Sequence, residues 1–243
     1  MTLALHLYRR VMRRGRLIAL IALSSVPALS YWLASFDADP AEAALLYSTV
    51  LATAGFSYAI AVLILTVATL REERDAGTLP YIYMRPIGRP AMALSSLAAG
   101  IAAAMTLAVG GWVMSLLAVI AAGVPASVAV PGAVQFIAAG VGYAALFVPL
   151  GYMVPRSVLV GLGYIVVVES ILAAAVTGLA QLSIWRIALS IYADTTPNWD
   201  LENAGDMLGP ITPGVGGGIA KLAVVLLLGF GLLTWALRSR DAL

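Results

Sequence analysis

The sequence predicts an all-α integral membrane protein, on three observations. Of its 243 residues, 62% are hydrophobic and the mean hydropathy is +0.98, whereas roughly half apolar is ordinary for a soluble domain. The apolar residues gather in runs of the length that crosses a ~30 Å hydrocarbon core, about twenty residues of helix. Arginines collect in the connections, chiefly in alternate ones.

Six spans follow, in a single transmembrane domain over residues 1–243. The first, about 17–36, comes after a basic segment containing Arg9, Arg10, Arg13, Arg14 and Arg16. A cleavable signal peptide is the competing reading, but Ser24–Pro27 runs on into Tyr31 and Trp32 where a small-residue cleavage site would stand. The second covers about 45–70 and the third about 91–122. In the third, Ser95, Ala99, Ala103 and Gly100, Ala104, Ala108 recur every four residues; Ala138 and Gly142 do so in the fourth, 134–154. That spacing lets helix backbones approach closely in lipid, either as a packed bundle or as the lining of a substrate path. The fifth covers 158–180 and the sixth 217–237.

Orientation follows from the cations. With the N-terminus inside, twelve arginines fall on the inner side (Arg9, Arg10, Arg13, Arg14, Arg16, Arg71, Arg74, Arg85, Arg89, Arg156, Arg238 and Arg240), against Arg186 and Lys221 outside. Both termini are therefore expected in the cytoplasm of a cell carrying this protein in its plasma or inner membrane. The long outer connection 181–216 begins with QLSIWRIALSIYAD, where Ser183, Arg186, Ser190 and Asp194 form a polar stripe at helical spacing. An amphipathic helix lying in the interface, or dipping in and out of it, is predicted there. Trp185, Tyr192 and Trp199 are placed at headgroup level.

Several chemistries are excluded. The chain has no cysteine and its one histidine is His6, so thiolate and His-rich metal sites are ruled out. Its one lysine, Lys221, follows Ala220, so the phosphate loop G-x-x-x-x-G-K-[ST] is absent. Glu169 is the one carboxylate near the middle of a span. A charge there is costly, so it is a candidate substrate contact or a protonated or hydrogen-bonded structural group, with Tyr164, Ser170 or Thr177 as local partners.

Residues 71–89 concentrate charge between spans two and three. Glu72, Glu73 and Asp75 are expected to open a short helix, where carboxylates suit the positive end of the dipole. Leu79, Ile82 and Tyr83 would give it an apolar face, with Pro86 and Gly88 ending it. By itself this reads as an amphipathic helix on the inner surface or as a loop that fixes topology.

The spelling Glu73-Arg74-Asp75-Ala76-Gly77-Thr78-Leu79, then Pro86-Ile87-Gly88-Arg89, resembles the E-R-E-x-G-T-L…P-[VI]-x-R signature of type-2 ATP-binding-cassette (ABC) exporter permeases. The departures are Asp75 for Glu, and Pro80 within the stretch. The resemblance implies that the segment is a coupling helix docking into a separate ATPase subunit. Glu72, Glu73, Arg74, Asp75, Gly77, Thr78, Leu79, Arg85, Pro86 and Arg89 are its candidate coupling residues, with Glu73 the leading anchor. Arg156, in the tight connection between spans four and five, is a candidate second contact or a plain topology anchor. Two ATPases and a second permease, identical or homologous, are the implied complement, with ATP and magnesium on the partner. No cofactor and no nucleic acid are expected on this chain.

Export of a hydrophobic or amphipathic substrate (a drug, a lipid or a lipid-linked molecule) is the leading functional expectation, since the spans hold few polar groups. A permease assisting cofactor maturation or the assembly of another membrane protein is the alternative within the family. An intramembrane enzyme would need convergent carboxylates or histidines at depth, and a secondary transporter internal repeats with several intramembrane charges. The sequence displays neither pattern.

Overall fold

The computed structural model describes residues 3–78, 81–82, 84, 87–172, 182–196 and 213–239. Among them every regular element is a helix. The order is α1 (Leu3–Val11), α2 (Arg14–Ser24), α3 (Val26–Ala34), α4 (Pro40–Ala54), α5 (Phe56–Asp75), α6 (Arg89–Ala121), α7 (Val130–Met153), α8 (Ser157–Gly163), a π-helical run Tyr164–Leu172, α9 (Ile184–Thr195) and α10 (Gly214–Ser239). Four helical segments are long and apolar enough to cross a membrane: Gly15–Ala34, Arg89–Ala121, Ala126–Met153 and Gly214–Ser239. The pair α4 and α5, bent by 44°, makes a fifth if it counts as one span. Ser157–Glu169 is a shorter apolar helix. The second half of the expected fifth span, from residue 173, lies outside the described residues.

The hub is α7. It carries no charged residue and is apolar all round, the composition of a helix surrounded by other helices. Two thirds of its apolar window is buried (67%), against 17% for α10, whose Leu227, Leu228 and Trp235 point outward. Packed on α7 are α5, α6, α9 and α10. The small residues singled out in the sequence serve these contacts: Ala99, Ala103, Gly100, Ala104, Ala108, Ala138 and Gly142 are all buried. Backbones meet closely at two glycines: a Cβ would fall 2.3 Å from the Val67 carbonyl oxygen of α5 at Gly151, and 2.2 Å from the Ala145 carbonyl oxygen of α7 at Gly229 of α10. Fully buried Tyr58 of α5 directs its hydroxyl at the carbonyls of Ala104 (3.3 Å) and Phe136 (3.0 Å), joining α5, α6 and α7.

Residues 45–70, expected as the second span, do not form one continuous helix. The break is at Gly55, and the cause lies 130 residues away. The indole Nε1 of Trp185 donates to the Ala52 carbonyl (3.0 Å), the acceptor that Phe56 would use in an unbroken helix. The indole ring fills the space where a Gly55 side chain would stand, 1.7 Å from its Cβ position. A side chain inserted into the helical ladder at a glycine is a recognised origin of a kink.

Of the two placements expected for the amphipathic segment in 181–216, lying in the interface or dipping in and out of it, the first is not met. Nine of the twelve residues of α9, Trp185 and Tyr192 included, are buried between α7 and α10, so it does not lie on the surface. Its serines are satisfied locally, Ser183 capping the helix start and Ser190 donating to the Ile187 carbonyl (2.8 Å), whereas Asp194 reaches across to accept from the amide of Val215 (2.9 Å) at the head of α10. Trp199 lies outside the described residues.

One apolar cluster contains Leu7, Leu70, Ile82, Met92, Tyr152 and Leu237. Residues near both chain ends, the end of α5, the start of α6 and the end of α7 therefore meet at one end of the bundle.

Candidate functional site

At that end α5 runs without interruption from its apolar body into Arg71-Glu72-Glu73-Arg74-Asp75. Arginine and glutamate are good helix formers, so nothing stops the helix before Gly77. There the backbone turns left-handed (φ +65°). The Thr78 amide bonds back to the Glu73 carbonyl (3.0 Å) and the Gly77 amide to that of Arg74 (3.0 Å). This is a Schellman closure, in which glycine takes the αL position without the Cβ penalty. The Glu-Arg-Asp-Ala-Gly-Thr spelling thus encodes the end of a helix. It does not begin a short one, so Glu72, Glu73 and Asp75 lie at the negative end of a helix dipole.

Cations offset that placement. Arg10 Nη1 of α1 donates to Glu73 Oε1 (2.8 Å), and its Nη2 to the Glu72 carbonyl (3.1 Å). Arg16 pairs with the Glu72 carboxylate, and Arg71 with Asp75 (3.3 Å). His6 Nε2 stands 3.2 Å from Glu73 Oε1, and the Thr78 hydroxyl donates to the other carboxylate oxygen. The Glu73 side chain is only 2% exposed. Its carboxylate faces α1 and not solvent, so it does not present the docking charge expected of it. It holds the N-terminal helix against α5. Leu7 and Val11, one turn apart, bury the apolar face of that helix alongside.

Around this buried anchor stands an exposed set. Arg74 and Asp75 are open to solvent, and Arg74 reaches the Tyr152 carbonyl (3.2 Å) at the end of α7. Glu72, Thr78 and Arg89 are half-buried, and Gly77 is exposed. Tyr81 (66% exposed) and Met84 (73%) project outward while Ile82 packs into the apolar cluster. Leu79, Tyr83, Arg85 and Pro86 lie outside the described residues. Arg156 caps the start of α8, is exposed, and its side chain has no ion-pair or hydrogen-bond partner among the described residues. Sequence reasoning missed His6, Arg10 and Arg16 as partners of the acidic turn, and Tyr81 and Met84 as its exposed apolar pair. The signal available was a basic segment and an acidic turn assigned to the same side.

Glu169 sits apart, in the π-helical run. Its carboxylate accepts from the Ser183 hydroxyl and from the amides of Ile184 (3.0 Å) and Trp185 (3.2 Å). Those amides are among the unsatisfied donors at the start of α9, and a carboxylate there meets the positive end of the dipole. Ser183 adds its own hydroxyl to the Arg186 amide (3.1 Å). Glu169 is hydrogen-bonded inside the bundle, by the start of α9 and by the Tyr164 hydroxyl expected as a local partner; the Ser170 side chain and Thr177 lie outside the described residues. Next to it, Trp185 makes the wedge between α4 and α5, so one carboxylate positions the element that stands at the bend between these helices.

Compared with known proteins, the chain matches no family model and no curated protein.

Proposed function

We propose that the chain is the permease subunit of an ABC-type exporter, driven by a separate ATPase that docks on the end of the bundle formed by residues 71–90. In this reading α4 and α5 together form the second of six spans, α8 with the π-helical run forms the described part of the fifth, and the basic end faces the cytoplasm. Residues 78–86 form the coupling element, a substrate of hydrophobic or amphipathic character moves outward past the bundle, and a second permease completes the complex.

The observation that supports this most directly is the exposed set Arg74, Asp75, Tyr81 and Met84 on a rigidly held base. Charge beside exposed Tyr and Met is the composition of a docking surface. Below it the Schellman turn, the Glu73–Arg10 pair and buried Ile82 connect the surface to α5, α1 and α6. A push on this surface is thereby delivered to spans two and three. The intramembrane-enzyme reading loses its one candidate acid, because both oxygens of Glu169 are engaged in holding α9.

The test is affinity capture of the tagged full chain from its host membranes, with ATP hydrolysis measured on the eluate. Wild type and Glu42→Lys, an exposed change at the opposite end, should bring equal ATPase activity. The pair Asp75→Lys and Met84→Glu should reduce it at least tenfold at unchanged membrane abundance, since lost interface anchors typically cost ~1–2 kcal/mol or more each. A wild-type eluate without ATPase, or equal values for all three, would overturn the reading.

A further inference from the structure

Between α5 and the start of α8 lies an open cleft of ~440 Å³, within the ~300–1,000 Å³ typical of small-molecule sites. Its inner wall is apolar: Val67 and Ala68 are buried there, with Ile64 beside them and Val158 and Leu159 opposite. Its mouth is charged, carrying Arg71, Glu72, Asp75 and Arg156.

The formal charges at the mouth cancel, but their partners do not leave them equal. Asp75 is paired with Arg71, and Glu72 with Arg16 from outside the cleft. Among the described residues no carboxylate pairs with Arg156, so there the mouth keeps one guanidinium unopposed above an apolar floor. Leu159, 64% exposed, and Leu162, 37% exposed, continue the apolar wall outward along the bundle, toward the zone of lipid chains.

We propose that this cleft holds an anionic phospholipid of the adjoining leaflet, its phosphate on Arg156 and its acyl chains lying against Val158, Leu159 and Leu162. A guanidinium offers paired donors in a geometry that matches phosphate oxygens. Basic pockets between membrane helices at headgroup level are the setting in which lipid head groups are recognised. The occupant sits against α5 on the face opposite α1, so it bears on the same helix end that carries the docking surface. The inference stands apart from the exporter reading, because no ATPase and no transport enter its test.

The experiment is native mass spectrometry of the delipidated full chain in detergent, titrated with dioleoylphosphatidylglycerol or dioleoylphosphatidylcholine. Wild type should retain one phosphatidylglycerol per chain with at least a fivefold preference over phosphatidylcholine. Arg156→Gln should bring the preference close to one, and Ala68→Trp, which fills the floor, should reduce retention of both lipids. Arg9→Gln, an exposed arginine on α1 away from the cleft, should behave as wild type. Equal loss in Arg9→Gln and Arg156→Gln would mean nonspecific charge attraction, and an undiminished preference in Arg156→Gln would remove the site. A change in oligomeric mass in place of lipid retention would make the cleft a contact between copies, and would likewise overturn the proposal. If Ala68→Trp does not fold, Arg156→Gln against Arg9→Gln decides alone.

Discussion

Removing Arg10 should cost more than removing its partner Glu73, because the two residues are unequally buried. The Glu73 side chain is 2% exposed and that of Arg10 24%. In Glu73→Met, Arg10 keeps its bond to the Glu72 carbonyl and can turn to water, so the loss is about 1–2 kcal/mol. In Arg10→Met, a buried carboxylate is left to His6 and Thr78 alone. Breaking a buried pair from one side costs ~3–5 kcal/mol, and the two remaining partners place this case near ~3. The double variant strands neither charge but also loses the Arg10 bond to the Glu72 carbonyl, so ~1.5–2 kcal/mol is expected. The coupling energy is then roughly 2–3 kcal/mol, well above the ~0.5 within which independent sites add. Hydrogen–deuterium exchange of the α1 amides in detergent micelles reads this directly, since α1 exchanges when it detaches. Arg10→Met should speed that exchange on the order of a hundredfold, at tenfold per ~1.4 kcal/mol. The double variant should recover most of the protection. If it exchanges as fast as the two single effects multiplied, the pair contributes no coupling and Glu73 is not what holds α1. Glu73→Lys belongs with these variants. A lysine facing Arg10 and His6 would expel α1 before it altered any docking surface.

Two further outcomes follow from the α9 wedge. Glu169→Gln should keep the fold, because the amide oxygen still accepts from one of the two α9 amides while the other loses its carboxylate oxygen, at a cost of ~1–2 kcal/mol. Glu169→Lys directs a cation at a helix N-terminus and should abolish folded, monodisperse protein in size-exclusion chromatography; normal yield would place the side chain elsewhere. Gly55→Ala cannot coexist with the Trp185 ring 1.7 Å from the new methyl, and should cost ~1–3 kcal/mol as overpacking in thermal unfolding. Trp185→Ala should make Gly55→Ala tolerable, and two simply additive losses would show that the indole does not set the bend.

The spans were legible because lipid imposes a rule that short windows of sequence can express. Twenty apolar residues must be helical to satisfy their own backbone, and the runs around 17–36, 91–122, 134–154 and 217–237 each met it. The break at Gly55 was not legible, since nothing in residues 45–70 requires it. Its cause is an indole from α9 that takes the Ala52 carbonyl, and glycine in the second span only permits the intrusion. The polar stripe of α9 suggested, as one of two placements, a helix in the interface, and that placement is not met for a different reason. Ser183, Arg186, Ser190 and Asp194 have helical spacing, but serine can satisfy itself on its own helix, as Ser190 does on Ile187. A stripe built half of serine is therefore weak evidence for water on that side. At the acidic turn the residue types were read correctly and the helix end reversed, because dipole preference is worth only ~0.3–1 kcal/mol. A continuous run of helix formers from Leu70 to Asp75, three arginines and a glycine able to adopt φ +65° outweigh it.

Asp39 caps its own helix and Asp75 pairs with Arg71 one turn away, but three other carboxylates share a longer-range use, which explains why they resisted assignment by position alone. Glu73 joins α5 to α1, Glu169 joins the π-helical run to α9, and Asp194 joins α9 to α10. Each satisfies donors contributed by a segment at least fourteen residues away, two of them at helix starts whose amides have no acceptor of their own. In a bundle whose apolar faces are nearly interchangeable in lipid, such contacts select one arrangement over its neighbours. A sparse carboxylate in this chain is thus best read first as a tie between distant elements. A docking or transport role falls to those left exposed, Asp75 foremost at the basic end. The two sets separate experimentally: tie residues should change stability and exchange wherever they lie, whereas Asp75 should change ATPase capture with stability unaltered.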